Sequence, residues 1–371
     1  MIAVVTSNSK GGIAQFAASL CASLRRAGVE VREYVPHDSA FAVGEAQRLS
    51  PVRQSDVFAG RKPLRRCAKQ VAEGGPDAVI FADTALVSVA LASAIAKAVP
   101  TYIVIHDAQP HPTSSKSLKA RLVQSKANRL MTSAVSAAQS LVFLSDNTRS
   151  LFYEERPCAV PSITIKLCAH PVECEPTMPP ELGPGDRGYA LFFGRIDKYK
   201  GIETLLRVYS KRSGILPRLV VAGSGRLSPE EERLLGECDN VRLINRFIGD
   251  AEMNWLFINS KVIVLPYIEA SQSGVLPMAY HFGKPVVVSD LPGLVEFVDV
   301  GETGFVFSNE AGLEAALSNV VAVDGWTEKV RAYERENLDW DTNIRKLLAK
   351  MEISGTAMAD KDDGVGVSRD L

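Results

Sequence analysis

Arg195 and Lys200 are the residues of this chain whose types and spacing point most directly to chemistry. They belong to Gly-Arg-Ile-Asp-Lys-Tyr-Lys-Gly, residues 194–201, which follows the apolar run Tyr189–Phe193. The pattern predicts a strand that ends at Phe193 and a helix that opens directly after it, so two cations stand at a helix amino terminus. That end already offers unpaired N–H groups and a partial positive charge, and added cations oppose the macrodipole unless an anion offsets them. A diphosphate, whose two phosphates the two side chains would neutralise, is such an anion. Ordinary solvated charges are the plainer reading.

A second segment, residues 266–280, reads Pro-Tyr-Ile-Glu-Ala-Ser-Gln-Ser-Gly-Val-Leu-Pro-Met-Ala-Tyr. It leaves an apolar run at Leu265 and enters a short predicted helix, with Ser271 or Ser273 as N-cap and Pro277 tolerated in the first turn. Its N–H groups could close round the same diphosphate, with Glu269 near whatever is attached to it. A capped helix start with no ligand is the alternative. Gly11 and Gly12, after the first apolar run, permit close backbone approach or make a plain tight turn. The Gly-x-Gly-x-x-Gly of a dinucleotide fold is absent there, which counts against a nicotinamide enzyme.

His106, Asp107 and His111 follow another apolar run. Their spacing on a proline-containing loop is not a regular ligand pattern, so no metal is expected. His106 either presents its ring or backbone to a substrate or is a satisfied loop histidine. Asp339-Trp-Asp341 spells an Asp-x-Asp metal signature but begins a late helix, and its aspartates read as N-cap candidates.

The elements that must hold these residues alternate. Strand candidates at residues 2–6, 29–35, 78–81, 102–105, 140–144 and 162–165 are separated by segments of helical spacing. The pattern restarts at residues 189–193, 218–222, 241–244, 262–265, 285–288 and 304–307. Between them, residues 161–184 hold six prolines. Such alternation predicts α/β architecture with two parallel sheets, each covered on both faces. With 371 residues the chain exceeds what one core supports. The expected domains are residues 1–170, a linker over 171–187, residues 188–337, a helix over 338–353 and a flexible tail over 354–371. The apolar stretch 85–96 is too short to span a membrane and reads as a buried helix. Six cysteines without a Cys-x-x-Cys pair, and no signal-peptide pattern, predict a cytoplasmic protein with reduced thiols.

The net charge of −1 hides an asymmetry: residues 1–170 carry 20 Lys and Arg against 12 Asp and Glu, and residues 171–371 carry 22 against 31. Lys116, Lys119, Arg121, Lys126 and Arg129 share one predicted helix, and Arg61, Lys62, Arg65, Arg66 and Lys69 form a second cluster. Leucines interleave with the first cluster, which suits an anionic membrane surface as well as it suits a solvated face. No aromatic platform accompanies the charge, so nucleic acid is not an expected partner.

Taken together, the segments resemble the retaining nucleotide-sugar glycosyltransferases of GT-B architecture, in the family four (glycosyl transferases group 1) type. The resemblance covers nearly the whole chain. It is strongest in the 194–201 loop, Val-Val-Ala-Gly-Ser-Gly at 220–225, residues 241–247, Gly-Lys-Pro-Val-Val-Val-Ser-Asp at 283–290, Gly293 with Glu296, and Gly-Glu-Thr-Gly-Phe at 301–305. In the first half it rests on the glycine pair and residues 106–112.

The resemblance implies two facing Rossmann-like domains and a final helix crossing back to the first. It implies a metal-independent hexosyltransferase without cofactors, acting on a nucleotide-diphosphate sugar donor and a glycan or lipid-linked acceptor in surface polysaccharide biosynthesis, and the basic segment over residues 116–129 fits a peripheral place on the inner face of the membrane. By it, Arg195 and Lys200 contact the diphosphate, and Ser273, Gly274 and Val275 offer it N–H groups. Gly11 and Gly12 approach from the other domain, His106 lies beside the transferred sugar, Asn245 to Phe247 border the base, and Glu269 lies near the sugar hydroxyls.

The sequence departs from the family's Glu-seven-residues-Glu pattern. Counting back from Gly283, the expected acids fall at Ala270 and Met278. Two other readings stay open: a nucleotide-sugar epimerase of the same plan, and a non-catalytic partner of an active transferase.

Overall fold

The computed structural model describes the chain apart from residues 40–45, 53, 60–61, 109–117, 212–215, 324 and 352–371, and apart from the side chains of residues 54, 58–59 and 118–124. Arg61, His111, Lys116 and the expected tail therefore lie outside the described residues, as do the side chains of Lys119 and Arg121.

The first half contains β1 (Ile2–Val5), α1 (Gly11–Arg26), β2 (Val31–Pro36), β3 (Gln47–Leu49), α2 (Gln54–Ala59), α3 (Lys62–Glu73), β4 (Ala78–Phe81), α4 (Leu86–Ile95), β5 (Thr101–Ile105), α5 (Leu118–Ala137), β6 (Ser140–Phe143), α6 (Asp146–Glu155) and β7 (Ser162–Thr164). Residues 165–188 carry neither helix nor strand. The second half contains β8 (Tyr189–Phe193), α7 (Ile202–Lys211), β9 (Leu219–Ala222), α8 (Pro229–Gly236), β10 (Val241–Ile244), α9 (Asp250–Asn259), β11 (Ser260–Leu265), α10 (Val275–His281), β12 (Val286–Ser289), α11 (Pro292–Val295), β13 (Gly304–Phe307), α12 (Glu310–Ala322), α13 (Trp326–Asn337) and α14 (Trp340–Met351).

Every described strand pairing is parallel, in two sheets ordered β3-β2-β1-β4-β5-β6-β7 and β10-β9-β8-β11-β12-β13. Both orders reverse direction beside the first strand of their sheet, the arrangement of a Rossmann-like domain. The α/β fold class with two such domains is the one expected. Strand alternation sorts the first core: Ile2 and Val4 join α1 on one face, while Ala3 and Val5 join α4 on the other. The helix over residues 85–96 appears as α4, with Leu91, Ala92 and Ile95 buried.

Helix α14 follows the second sheet but packs on the first domain. Ile344, Leu347 and Met351 share a core cluster with Val4 and Leu20 of the first sheet and α1. Asp339 accepts a hydrogen bond from the Thr342 N–H at 2.7 Å, as an N-cap does, and Asp341 pairs with Arg26 at 3.0 Å. Trp340 Nε1 donates to the Ala169 carbonyl at 2.8 Å.

Two expectations need correction. Strand β3 lacked an apolar run in the sequence because only Leu49 of its three residues is buried. The helix after Phe193 does not open directly: a 3₁₀ turn at Lys198–Lys200 comes first, and α7 starts at Ile202. Gly201 between them has φ +66°, and a Cβ there would run into the Pro266 carbonyl oxygen. The chain must turn back against the loop after β11 before it can coil.

Candidate functional site

Strands β8 and β11 are neighbours at the point where the second sheet reverses its order. Their loops leave the same edge and meet, as the ligand-binding crevice of such sheets requires. The Ile268 N–H donates to the Tyr199 carbonyl at 2.8 Å. Lys200 Nζ lies 3.6 Å from the Tyr267 ring centroid and 5.1 Å from that of Tyr199. Arg195 Nη2 donates to Tyr199 Oη at 3.1 Å. Neither cation forms an ion pair among the described residues, and both rest on aromatic faces instead. Burial first, then the Arg195 charge, push the Lys200 amine down to about 7. The pair is short of negative charge, and an anion between the loops would restore the lysine's proton.

In the loop after β11, Ser273 Oγ lies 3.2 Å from Tyr267 Oη and accepts from the Val275 N–H at 3.3 Å. Neither Ser271 nor Ser273 is the N-cap of α10, as the sequence suggested. Gly274 holds that place and contributes no side-chain bond. The serines are used otherwise, because Ser273 fixes the tyrosine and Ser271 reaches across to the first domain. Gly274 is exposed and a Cβ there would meet nothing within 4 Å, so a ligand has access to the backbone. Glu269 is exposed and forms no ion pair among the described residues.

In the first domain, Lys10 at the N-cap of α1 makes no side-chain bond to the helix, Gly11 has φ +77°, and the space beside Gly11 and Gly12 is open. Asp83 organises this edge by accepting from Thr6 Oγ1 at 2.8 Å, the Ser7 N–H at 2.9 Å and the Ala85 N–H at 2.8 Å. His106 Nε2 lies 2.8 Å from the Ala82 carbonyl oxygen. A carbonyl only accepts, so this nitrogen carries the ring proton and Nδ1 is the free acceptor. Burial holds the ring below the usual histidine range, hence neutral. Phe16 meets it edge-on at 4.8 Å between centroids, and His170, pushed down to about 4 by burial, packs on Phe16 and Trp340.

The two domains touch at a seam of polar contacts. Gln272 Nε2 donates to the His106 carbonyl at 2.7 Å, and Ser271 Oγ donates to Asp107 Oδ1 at 2.6 Å. The Glu296 carboxylate accepts from the Asp146 and Asn147 N–H groups at 2.7 and 2.9 Å, and Asn147 Nδ2 donates to the Ser271 carbonyl at 3.4 Å. Thus Arg195, Lys200, Ser273, Gly274 and Val275 gather at one edge, and His106 is tied to that edge through Gln272.

Asn245 and Phe247 stand further out, after β10 at the margin of the sheet. Asn245 Oδ1 accepts from the Gly225 N–H at 3.1 Å, and Phe247 is 82% exposed. Sequence reasoning passed over Tyr199, Tyr267 and Gln272, and it named Glu296 without a task. Contacts between residues some 150 positions apart leave no local periodicity to find them by.

Two family models match the chain: Glycosyl transferases group 1 over residues 187–322, and Glycosyl transferase 4-like domain over residues 11–163. The chain belongs to the group 1 glycosyltransferases. An uncharacterized glycosyltransferase of Methanocaldococcus jannaschii is 36% identical to this glycosyltransferase over 120 residues, 30% of each chain. A GDP-mannose:glycolipid 4-beta-D-mannosyltransferase of Xanthomonas campestris pv. campestris is 31% identical over 153 residues, 40% of this chain and 42% of the relative. These matches thus span less than half the length of the curated relatives. Among solved structures, Anabaena HepE, in complex with UDP, superposes with a TM-score of 0.70 at 16% identity, covering 94% of this chain and 99% of the other; it has also been solved with UDP-glucose. At that identity the likeness speaks for the fold.

Proposed function

We propose that this glycosyltransferase moves a sugar, with retention of anomeric configuration, from a nucleotide-diphosphate sugar to a glycan or lipid-linked acceptor in surface polysaccharide biosynthesis. The observation that carries the reading is Lys200, half-buried, unpaired by any described carboxylate and lowered to about 7, beside Arg195 at the sheet's switch point. HepE, with UDP-glucose, and the mannosyltransferase relative, whose name gives a GDP-mannose donor and a glycolipid acceptor, support it.

In this reading the diphosphate sits between Arg195, Lys200 and the N–H groups of Ser273, Gly274 and Val275. As the glycosidic bond breaks, charge grows on the leaving diphosphate, and these fixed donors stabilise it in place of a metal. The open amino end of α1 at Gly11 and Gly12 closes from the other side. Phe247 borders the base together with Asn245, and Glu269 lies near the sugar hydroxyls. His106 lies beside the sugar; its neutral ring keeps Nδ1 as an acceptor. The acceptor hydroxyl attacks from the face the diphosphate leaves.

A cavity of about 560 Å³ in the first domain, lined by polar Ser9 and Asp38 and by apolar Leu49, Val87 and Leu91, suits the acceptor. No helix among the described residues is long and apolar enough to cross a membrane. Exposed Lys62, Arg65, Arg66 and Lys69 on α3, with Lys126 and Arg129 on α5, would hold the protein on the inner face of an anionic membrane.

Incubation with a panel of UDP- and GDP-sugars and a polyprenyl-diphosphate-sugar acceptor, followed by NMR of the anomeric coupling in the product, tests the reaction. Retention with transfer is the expected result. Inversion, or conversion of the donor to its epimer without any acceptor, would overturn it.

A further inference from the structure

Gln272 stands where the two domains touch, and its carboxamide has only one possible orientation. Nε2 faces the His106 carbonyl at 2.7 Å, and because a carbonyl cannot donate, Oε1 must point the other way. Oε1 is shut off from solvent and meets no hydrogen-bond donor. Folded proteins seldom leave a buried acceptor unpaired. The neighbouring serines cannot help, since Ser271 Oγ is spent on Asp107 and Ser273 Oγ is engaged with Tyr267 and the Val275 N–H.

We propose that Gln272 is a donor-recognition residue, whose Oε1 accepts a hydrogen bond from a hydroxyl of the sugar being transferred. This rests on the reading of the site as one for a nucleotide-diphosphate sugar.

Three features select a sugar hydroxyl. An amide oxygen is a pure acceptor, so it repels phosphate oxygens and takes an O–H or N–H. Lys200 rests on Tyr267, five residues earlier in the same loop, so the diphosphate and Gln272 are served by one short segment. His106, whose carbonyl Gln272 Nε2 holds, stands directly across the seam on the other domain. The five seam contacts are hydrogen bonds between side chains and backbone or side chains, which would part to admit a donor and form again on it. Without a donor the closed seam keeps one acceptor unsatisfied, and the right hydroxyl removes that defect. A sugar lacking the hydroxyl, or presenting it with the opposite configuration, leaves the defect in place.

Isothermal titration of the full chain tests this with UDP-glucose, UDP-galactose, GDP-mannose, UDP and GDP. For whichever sugar nucleotide the wild type binds, Gln272→Ala should weaken binding about tenfold and leave the parent nucleoside diphosphate within about twofold. Singly deoxygenated analogues of that donor complete the test: one of them should bind about tenfold more weakly than its parent to the wild type but equally well to Gln272→Ala. Ser271→Ala, which cuts the same seam but spares Oε1, should not reproduce the sugar-selective loss. If Gln272→Ala does not fold, Gln272→Asn, whose amide is one methylene short of the contact, gives the same reading.

Equal weakening of nucleotide and sugar nucleotide, a sugar-selective loss in Ser271→Ala, or a deoxy penalty that persists in the variant would each overturn the assignment. A wild type that binds none of the five probes would instead overturn the donor reading, and this proposal with it.

Discussion

Glu296, in the second domain, holds the amino end of a helix in the first through Asn147, whose N–H lies 2.9 Å from its Oε2. Its other oxygen takes the Asp146 N–H, so one carboxylate satisfies two free donors of α6 and meets the positive end of that helix. The helix has its own N-cap in Ser145, which accepts from the Thr148 N–H. Glu296 is therefore dispensable for forming α6 and acts instead on the relative position of the domains. Glu296→Ala should lower kcat/KM about tenfold, raise the radius of gyration in X-ray scattering, and cost about 1 kcal/mol or less of stability. Unchanged scattering together with unchanged turnover would remove Glu296 from domain closure.

Lys200→Met should abolish most donor turnover, at least about a hundredfold in kcat/KM, without lowering the melting temperature. The ammonium is costly to bury without an anion, so losing it relieves the empty protein.

The same residue sets a pH dependence. Its folded value of about 7 lies below the ordinary lysine value of 10.5, so between these pH values the unfolded chain binds more protons than the folded one. Lys200 thus contributes a penalty that is fully present below about pH 7 and fades as pH rises towards 10.5. Near pH 8, nucleoside diphosphate binding should take up a proton, seen as a buffer-dependent enthalpy in titration calorimetry. No uptake in the wild type, or equal uptake in Lys200→Met, would contradict the assignment.

Gly201→Ala combines a left-handed backbone with a collision against Pro266, and it should cost about 2 kcal/mol or more in urea unfolding. Exposed Gly274, where a Cβ meets nothing, should tolerate alanine within about 0.5 kcal/mol while losing donor affinity. Equal stability losses at the two sites would mean that the contact between the β8 and β11 loops is not rigid.

Arg65→Glu with Arg66→Glu reverses charge on the exposed face of α3, whose other face buries Cys67 and Val71. Flotation with vesicles containing anionic lipid should fall several-fold in the double variant, and 0.5 M salt should do the same to the wild type. Equal flotation on neutral vesicles would exclude an electrostatic attachment.

Two sheets of parallel strands were legible in the sequence because twelve β-rich segments alternate with helical ones, and the central strands, buried on both faces, are continuous apolar runs. The thirteenth strand, β3, lies at an edge and buries only Leu49, so no run announces it. At the site, Arg195 and Lys200 were legible as cations in a loop that directly follows a strand, although the helix they were expected to open starts only at Ile202. The tyrosines under them were not, since an aromatic residue next to a strand reads as core until the fold turns its face to a cation. Ser271 was misassigned because a serine before a helix satisfies the capping pattern, while its true partner, Asp107, is 164 positions away.

Helix α14 completes the first core, with Ile344, Leu347 and Met351 packed against Val4 and Leu20, and the Met351 carbonyl accepting from Tyr102 Oη at 3.2 Å. On the ribosome, the amino-terminal half must wait with an apolar face uncovered until residue 351 has emerged, by which time the second sheet has been made. Removing α14 would therefore do its damage at the opposite end of the polypeptide, leaving newly made first domains sticky and in need of chaperones.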